Sequence, residues 1–99
     1  MKVRFSPLAG DDIEAADRWW LQNRPAAPTL FEDELGIALG LLEAHPRAGS
    51  RVDGLDPVFG EVRRIVLGAT RFLLFYRVEG DTVQVLRVYQ SNRGDRPGL

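Results

Sequence analysis

Hydrophobic and polar positions alternate most clearly in the C-terminal third of the chain, between residues 61 and 92. Three apolar runs rich in Val, Ile, Leu, Phe and Tyr are separated there by two short segments that contain glycine. Runs of this kind bounded by turn residues are typical of strands joined by hairpins. The pattern predicts an antiparallel meander with strands over Val62 to Leu67, Arg71 to Val78 and Val83 to Gln90.

The predicted meander has two unlike faces, because successive side chains of a strand point to opposite sides of the sheet. One face is almost wholly apolar and has to be covered by other elements. Its members are Ile65, Leu67, Phe72, Leu74, Tyr76, Val78, Leu86 and Val88. The second face places four arginines among large apolar groups, a mixture that is typical of binding surfaces. Its members are Val62, Arg64, Val66, Arg71, Leu73, Phe75, Arg77, Val83, Val85, Arg87 and Tyr89.

Two stretches upstream of the meander show the periodicity of amphipathic helices. A short strand over Lys2 to Phe5 precedes the first helix, which Ser6 should cap and which ends near Asn23. The second helix is predicted from Ala27 to Ala44, because Pro46 cannot continue it. The apolar stripe of each helix can be buried against the apolar sheet face. The sequence therefore predicts an α+β fold: an N-terminal strand and a two-helix antiparallel hairpin packed on a C-terminal antiparallel sheet.

The second predicted helix contains two glycines and an acidic cluster. Gly36 and Gly40 are separated by one helical turn, and because glycine weakens a helix, this spacing predicts a close backbone approach to the first helix. The acidic residues 32 to 34 spread around the helix and are predicted to face solvent. Residues 47 to 60 are predicted to form a surface loop, and residues 93 to 99 a mobile tail.

Length and composition indicate one small domain over residues 1–99. The chain has no cysteine, so neither a disulfide framework nor a thiolate metal site can form. No segment has the pattern of a signal peptide or a membrane span, and a cytoplasmic location is expected. The formal net charge is −1, but residues 1 to 60 hold six basic and ten acidic residues, whereas residues 61 to 99 hold seven basic and four acidic. The basic half is therefore expected to meet an acidic or phosphate-bearing partner.

No familiar catalytic or metal-binding motif is present in the sequence. The one histidine, His45, stands at a helix end without a ligand companion at a useful spacing. Phosphate-binding loops, dinucleotide-binding glycine patterns and nucleophile elbows are absent. We therefore expect neither a cofactor nor a metal, and any enzymatic chemistry would fall to arginines, Tyr89 and a few carboxylates.

Six short motifs follow one another along nearly the whole chain. They are Phe5-Ser-Pro-Leu-Ala9, Asn23-Arg-Pro-Ala-Ala27, His45-Pro-Arg-Ala-Gly49, Glu61-Val-Arg-Arg64, Phe75-Tyr-Arg-Val78 and Val83-Gln-Val-Leu-Arg-Val88. No single motif is specific, but their order and spacing resemble the RelE/ParE toxin superfamily of bacterial toxin–antitoxin systems. The resemblance implies a helical hairpin packed on an antiparallel sheet, in agreement with the fold expected from the residues.

The resemblance implies one of two activities. RelE-type members cleave mRNA in the ribosome with basic residues on the open sheet face and a late tyrosine, whereas ParE-type members inhibit DNA gyrase. Arg64 and Arg93 match two basic positions of the nuclease set, but two further basic positions fall at Val66 and Leu73. The late tyrosine has no counterpart, although Tyr89 could substitute. RNA cleavage without a metal needs a cation on the phosphate, so the mapping favours the ParE-like branch.

The resulting prediction is a ParE-like toxin that inhibits DNA gyrase and is neutralised by a cognate ParD-like antitoxin with an acidic C-terminal arm. The two proteins would form a hetero-oligomer that reaches operator DNA only through the antitoxin. Two alternatives stay open, a ribosome-dependent mRNA endoribonuclease of the RelE type and a non-toxic relative that retains only antitoxin binding. The predicted antitoxin-binding residues are Arg64, Arg71, Leu73, Phe75, Arg77, Val85, Arg87 and Tyr89.

Overall fold

Two helices and five strands make up the part of the chain that the structure, a computed structural model, describes, residues 1–52 and 60–90. The strands are β1 (Lys2–Phe5), β2 (Ser50–Arg51), β3 (Val62–Val66), β4 (Phe72–Glu79) and β5 (Thr82–Gln90), and the helices are α1 (Pro7–Asn23) and α2 (Leu30–Ala44). The predicted α+β class, with a strand and a helical hairpin ahead of an antiparallel meander, is confirmed. The predicted tail over residues 93 to 99 lies outside the described residues.

All five strands belong to one mixed sheet in the order β1-β5-β4-β3-β2. β1 runs parallel to β5 and pairs with Thr82 to Val85, whereas the other neighbours are antiparallel. β2 was not predicted. It lies inside the segment that was expected to be loop, residues 47 to 60, and pairs with Arg63 and Arg64 of β3. A strand of two residues is too short to show an alternation, so no sequence pattern announces it.

The first helix begins directly after β1 and is fastened to β5. The Ser6 hydroxyl caps the helix by accepting from the amide of Ala9 at 3.1 Å, as predicted, and donates to the carbonyl of Leu86 at 2.9 Å. One turn further along α1, the Asp12 carboxylate accepts from the amide of Val88 at 3.0 Å. Groups on α1 therefore occupy the β5 edge beyond the point where β1 ends.

The second helix begins at Leu30 rather than at the predicted Ala27. The carbonyl of Ala27 accepts both the Trp20 indole N–H at 2.7 Å and the amide of Leu30 at 3.2 Å. The chain between the helices therefore forms a turn that includes Pro28 and ties the two helices together through the Trp20 side chain. This tertiary bond fixes where α2 can begin, and helix periodicity does not reveal it.

The two helices bury one face of the sheet, which we call the helix-covered face. The helices contribute Ala9, Ala16, Trp20, Phe31, Leu35, Ala38 and Leu42, and the sheet contributes Leu67, Phe72, Leu74, Tyr76, Val83, Val85 and Val88. The opposite, helix-free face consists of Val62, Arg64, Val66, Leu73, Phe75, Arg77, Gln84, Leu86, Arg87 and Tyr89.

A tyrosine in the helix-covered core is satisfied by the loop before β2. The Tyr76 side chain is fully buried, and its hydroxyl accepts from the amide of Gly49 at 2.9 Å. Burial raises the pKa of the Tyr76 phenol. A Cβ at Gly49 would lie 2.6 Å from the carbonyl oxygen of Arg64, so only glycine allows the loop to approach this closely. The pairing places a polar group in the core without leaving it unsatisfied.

A bulge in β5 changes which face its side chains join. The register shifts between Phe75 and Tyr76 of β4, so that β5 contains one extra residue at this point. The predicted alternation placed Val83 and Val85 on the second face and Leu86 on the apolar one. These three assignments were wrong: Val83 and Val85 are fully buried beneath the helices, and Leu86 packs on the helix-free face.

The glycines of α2 do not mediate a close helix approach, so that prediction was wrong. A Cβ built at Gly36 or Gly40 would have nothing within 4 Å, and both residues are exposed. The buried stripe at Phe31, Leu35 and Ala38 turns them away from the core. No helix within residues 1–52 and 60–90 has the length and apolar character needed to cross a membrane.

Candidate partner-binding surface

Six of the eight predicted binding residues lie together on the helix-free face, where the strand register aligns them. Arg64 of β3 is paired with Phe75 of β4, and Leu73 of β4 is paired with Tyr89 of β5. Arg77 lies at the far end of the same face, opposite Val62 of β3. Arg87 of β5 is paired with Phe75 on this face, and the remaining two predicted residues, Arg71 and Val85, lie elsewhere.

The centre of the helix-free face is buried although no helix covers it. Phe75 is 3% exposed and Val62 is 2% exposed, and together with Leu86 they form a small cluster of their own. The Phe75 and Tyr89 rings meet edge to face with their centroids 6.2 Å apart. The expectation that a partner would contact Phe75 directly does not fit this burial, and Phe75 instead supports its neighbours from below.

The accessible groups of this face surround the buried centre. Leu73 and Tyr89 are half-buried, Val66 is 44% exposed and Arg64 is exposed. Apolar groups of this size beside an exposed guanidinium resemble the composition of protein–protein interfaces more than that of an ordinary solvated surface. A partner would therefore meet a narrow mixed strip rather than a wide hydrophobic patch.

The arginines of this face differ in how far the protein itself uses them. Arg77 donates to the side chain of Gln84 at 3.1 Å and to the carboxylate of Glu79 at 3.1 Å. Within residues 1–52 and 60–90, the side chain of Arg64 makes no hydrogen bond or ion pair. Arg64 is therefore the more available of the two for a partner carboxylate.

Arg87 lies on the predicted face, opposite Phe75, but its guanidinium is engaged by α1. Its guanidinium donates to the Asp12 carboxylate at 2.7 Å and 3.0 Å, and the same carboxylate accepts from the amide of Val88. The hydrogen bond that it donates to Asp12 raises the pKa of Arg87. The guanidinium also lies 4.5 Å from the centre of the Tyr89 ring, which it holds in position. Val85, as described above, is buried in the core and faces no partner.

Arg71 lies in the turn between β3 and β4 rather than in β4, where it was predicted. Its φ is +67°, a conformation that non-glycine residues rarely adopt. Its amide donates to the carbonyl of Leu67 at 2.9 Å, which closes the turn. The Arg71 side chain is exposed and projects from the end of the sheet.

The turn that presents Arg71 is held by a carboxylate from α2. Glu34 accepts the amides of Ala69 and Thr70, each at 2.7 Å. Partial burial opposes its ionisation, but the two hydrogen bonds outweigh that effect and lower the pKa of Glu34. The predicted solvated face was wrong at this residue. Glu34 and the turn are more than thirty residues apart, and no local pattern signals their contact.

A second group of arginines shares one carboxylate at the opposite edge of the sheet. The carboxylate of Glu61 lies within 3.8 Å of Arg47, 3.6 Å of Arg51 and 3.1 Å of Arg63. The hydrogen bond from Arg63 lowers the pKa of Glu61. Within the basic half of the chain this cluster engages only Arg63, and because one carboxylate faces three guanidinium groups, the cluster keeps a net positive charge.

The residues of the predicted nuclease set are only partly assembled. Val66, Leu73 and Tyr89 are aligned across three strands, and this row contains no cationic side chain. Arg64 lies one row away, and Arg93 lies outside the described residues. In the described part of the chain, no group of three His, Cys, Asp or Glu side chains could hold a metal ion.

The element order, the helical hairpin and the arginine-bearing, helix-free face together define a toxin of the RelE/ParE type. The family model described as ParE toxin of type II toxin–antitoxin system, parDE, matches residues 3–93, and the chain belongs to this family. A chain from the chromosomal ParDE toxin–antitoxin system of P. aeruginosa has the same fold, with a TM-score of 0.71 and 20% sequence identity. The match covers 91% of this chain and 95% of that chain. No curated protein matches the sequence.

Proposed function

We propose that this protein inhibits DNA gyrase and is neutralised by a cognate ParD-like antitoxin. Its membership of the ParE toxin family supports a toxin role, and the similar chain from a ParDE system supports an antitoxin partner. The choice of gyrase rests on one observation, the aligned row of Val66, Leu73 and Tyr89. Cleavage of RNA at this row would need a cation to stabilise charge on the phosphate. The row contains none, and the guanidinium that lies over Tyr89, that of Arg87, is bound to the Asp12 carboxylate.

The antitoxin is proposed to bind the accessible strip of the helix-free face. Apolar side chains of the antitoxin would cover Leu73 and Tyr89, and its carboxylates would meet Arg64 and Arg77. A guanidinium and a carboxylate form paired hydrogen bonds of fixed geometry, so these contacts would set the register of the bound segment. Phe75 acts indirectly in this arrangement, because its buried ring supports Tyr89.

The gyrase target is tested with purified protein, gyrase and supercoiled plasmid. We expect linear plasmid to accumulate after the gyrase is digested, and we expect cellular mRNA to remain intact when expression is induced. A Leu73→Arg variant is the informative companion, because it introduces a cation into the aligned row. Rapid message cleavage by the unaltered protein, with gyrase unaffected, would replace this proposal with the ribosome-dependent nuclease. Normal growth without either effect would indicate a non-toxic relative.

The antitoxin surface is tested by charge reversal. Arg64→Glu is expected to weaken antitoxin binding by at least about tenfold, because a like charge would meet the partner's carboxylates. Arg18→Glu is the matched control, since Arg18 is exposed on α1 and lies away from the helix-free face. Titration calorimetry would measure both affinities. Equal affinity of the two variants would remove the helix-free face from the proposal.

A further inference from the structure

A cleft lies where the C-terminal end of α1 meets the turn between β3 and β4. It has a volume of about 340 Å³, and its lining combines two tryptophans with two arginines. The turn between β3 and β4 and the end of β5 complete the lining. The residues are Trp19, Trp20, Arg24, Ala69, Thr70, Arg71 and Gln90. We propose that this cleft binds an acidic peptide segment that carries a large apolar side chain.

Trp19 gives the cleft an exposed aromatic wall. Its side chain is 38% exposed, whereas the adjacent Trp20 is 6% exposed and belongs to the core. The Trp19 ring is held edge to face against Phe72, with centroids 6.5 Å apart, and tilted against Trp20 at 6.3 Å. A large indole that is both fixed in orientation and open to solvent loses little conformational freedom on binding. Such residues dominate the energetics of protein interfaces.

The charge of the cleft comes from Arg24 and Arg71, and no carboxylate is among its lining residues. Among the described residues, the Arg24 side chain donates only to the carbonyl of Asn23, at 3.1 Å, so its charge is not neutralised there. Arg71 makes no side-chain hydrogen bond or ion pair with any described residue. The carboxylate of Glu34, which holds the turn, is occupied by the amides of Ala69 and Thr70. The cleft is therefore electrostatically suited to a carboxylate ligand.

The backbone at Arg71 supports a role for its side chain. A residue with φ of +67° would be less strained as glycine, since only glycine reaches this region without a steric penalty. Strained positions of this kind persist where the surrounding structure fixes them, and they concentrate at binding sites. Here the turn is fixed by Glu34 and by the Arg71 amide bond to Leu67. The fold thus holds an arginine side chain at a position where its backbone is unfavourable.

A second, smaller cleft continues from the first and accounts for the apolar part of the ligand. Its volume is about 270 Å³, and it shares Trp19 and Gln90 with the first cleft. Alanines at 15 and 16 leave room between Trp19 and Tyr89, and Phe72 contributes a further apolar side chain. The two charged residues that line this cleft, Asp12 and Arg87, are paired with each other. A peptide crossing Trp19 can therefore place an apolar side chain in this cleft and a carboxylate beside Arg71. Tyr89 connects the site to the rim of the helix-free face.

A peptide fits these charges better than a nucleic acid does. Nucleic-acid affinity is built from many phosphate contacts, and this cleft has only two lining cations on one side of Trp19. The turns of α1 that precede Trp19 carry Asp11, Asp12, Glu14 and Asp17. A long phosphate backbone that extended along α1 would be repelled by these carboxylates. A short acidic segment needs to contact only the cleft itself.

This inference is independent of gyrase as the target, and its test uses no gyrase. The probe is a short fluorescein-labelled peptide in which glutamates flank two leucines, titrated with the full chain and followed by anisotropy. We expect saturable binding that quenches tryptophan fluorescence. The matched probes replace glutamate by lysine, or leucine by serine, and a single-stranded oligothymidylate tests phosphate recognition. No binding of the acidic peptide by the unaltered protein would overturn the proposal.

Arg71→Gly separates the role of the side chain from any effect on folding. Glycine tolerates the local φ, so the variant should keep or raise its melting temperature while peptide affinity falls by about tenfold or more. Arg71→Lys should retain most of the affinity, and Trp19→Ser should lose it. Arg64→Glu should leave it unchanged. Loss of peptide binding in Arg64→Glu but not in Arg71→Gly would place the peptide on the helix-free face. Oligothymidylate binding that is equally tight and depends on Arg71 would assign the cleft to phosphates. Either result would overturn the proposal.

Discussion

The two faces of the sheet bury apolar side chains at very different scales. The helix-covered face joins side chains from both helices and three strands in one cluster that includes the fully buried Leu42, Leu74 and Tyr76. The helix-free face buries only Val62, Phe75 and Leu86, and arginines and half-buried apolar groups surround them. Each fully buried aliphatic or aromatic side chain contributes about 1.5–3 kcal/mol, so most of the folding free energy comes from the first face.

The comparison teaches how one small sheet can provide both stability and binding. Neighbouring residues of a strand belong to different faces, so adjacent positions in the sequence serve different purposes. Substitutions on the helix-covered face should change stability strongly, whereas those on the helix-free face should change binding more than stability. Variants at adjacent positions can therefore test the division directly.

The largest difference is expected between Leu74→Ala and Leu73→Ala. Leu74 is fully buried beneath the helices, so its truncation should lower the free energy of unfolding by about 2–5 kcal/mol. Leu73 is half-buried on the other face, and its truncation should cost about 1 kcal/mol. Urea denaturation measures both, with an unchanged dependence on urea concentration confirming that the unfolded state is comparable. Equal losses would mean that the two faces contribute alike to stability.

A smaller effect is expected at Arg87, the arginine of the helix-free face that is paired with α1. Asp12→Ala leaves Arg87 without its carboxylate and Val88 without its amide partner. We expect a loss of about 2 kcal/mol, less than the roughly 3–5 kcal/mol of a fully buried pair, because both side chains keep some exposure. Asp11→Ala is the control, since Asp11 is exposed, and it should change stability by no more than about 0.5 kcal/mol. Thermal denaturation at matched pH compares them, and indistinguishable variants would show that α1 does not depend on this pair.

The smallest effect is a change in the pH dependence of stability, and it arises at the turn between β3 and β4 that Glu34 holds. Because the folded pKa of Glu34 is lowered, its contribution is present above its unfolded pKa, about 4.3, and is lost as pH falls through the folded value. Glu34→Gln should cost about 1 kcal/mol at neutral pH, and its stability should fall less steeply under acid than that of the unaltered protein. Unfolding measured across the acid range tests this. Glu32→Gln, exposed on the same helix, should retain the full slope.

The sequence predicted the fold well where one local rule decided the outcome. Alternation assigned the side chains of β3 and β4 to the correct faces, and Ser6 capped α1 as expected. The helical stripes were also placed correctly, because burying them requires one orientation of each helix. These features depend on residues that are close together in the chain, and therefore the sequence contains the information in readable form.

The prediction failed where distant groups decide local geometry. The bulge in β5 inverts the alternation, so Val85 lies in the core rather than on the face predicted for it. The residues next to Val85 in the sequence do not indicate the bulge. Arg71 adopts a left-handed conformation because Glu34 holds the turn from another element. In the sequence Arg87 resembles the other arginines, and only the tertiary structure shows that Asp12 of α1 lies beside it. Which arginines are available to a partner is therefore a property of the tertiary structure.

The fastening of α1 along β5 also bears on self-association. An unpaired strand edge is a template onto which another chain can add and from which aggregates grow. β1 occupies this edge only as far as Val85, and from there the Ser6 hydroxyl and the Asp12 carboxylate engage the backbone at Leu86 and Val88. Strand addition is thus blocked along β5 from Leu86 to Val88 by side chains that cannot themselves propagate a ladder.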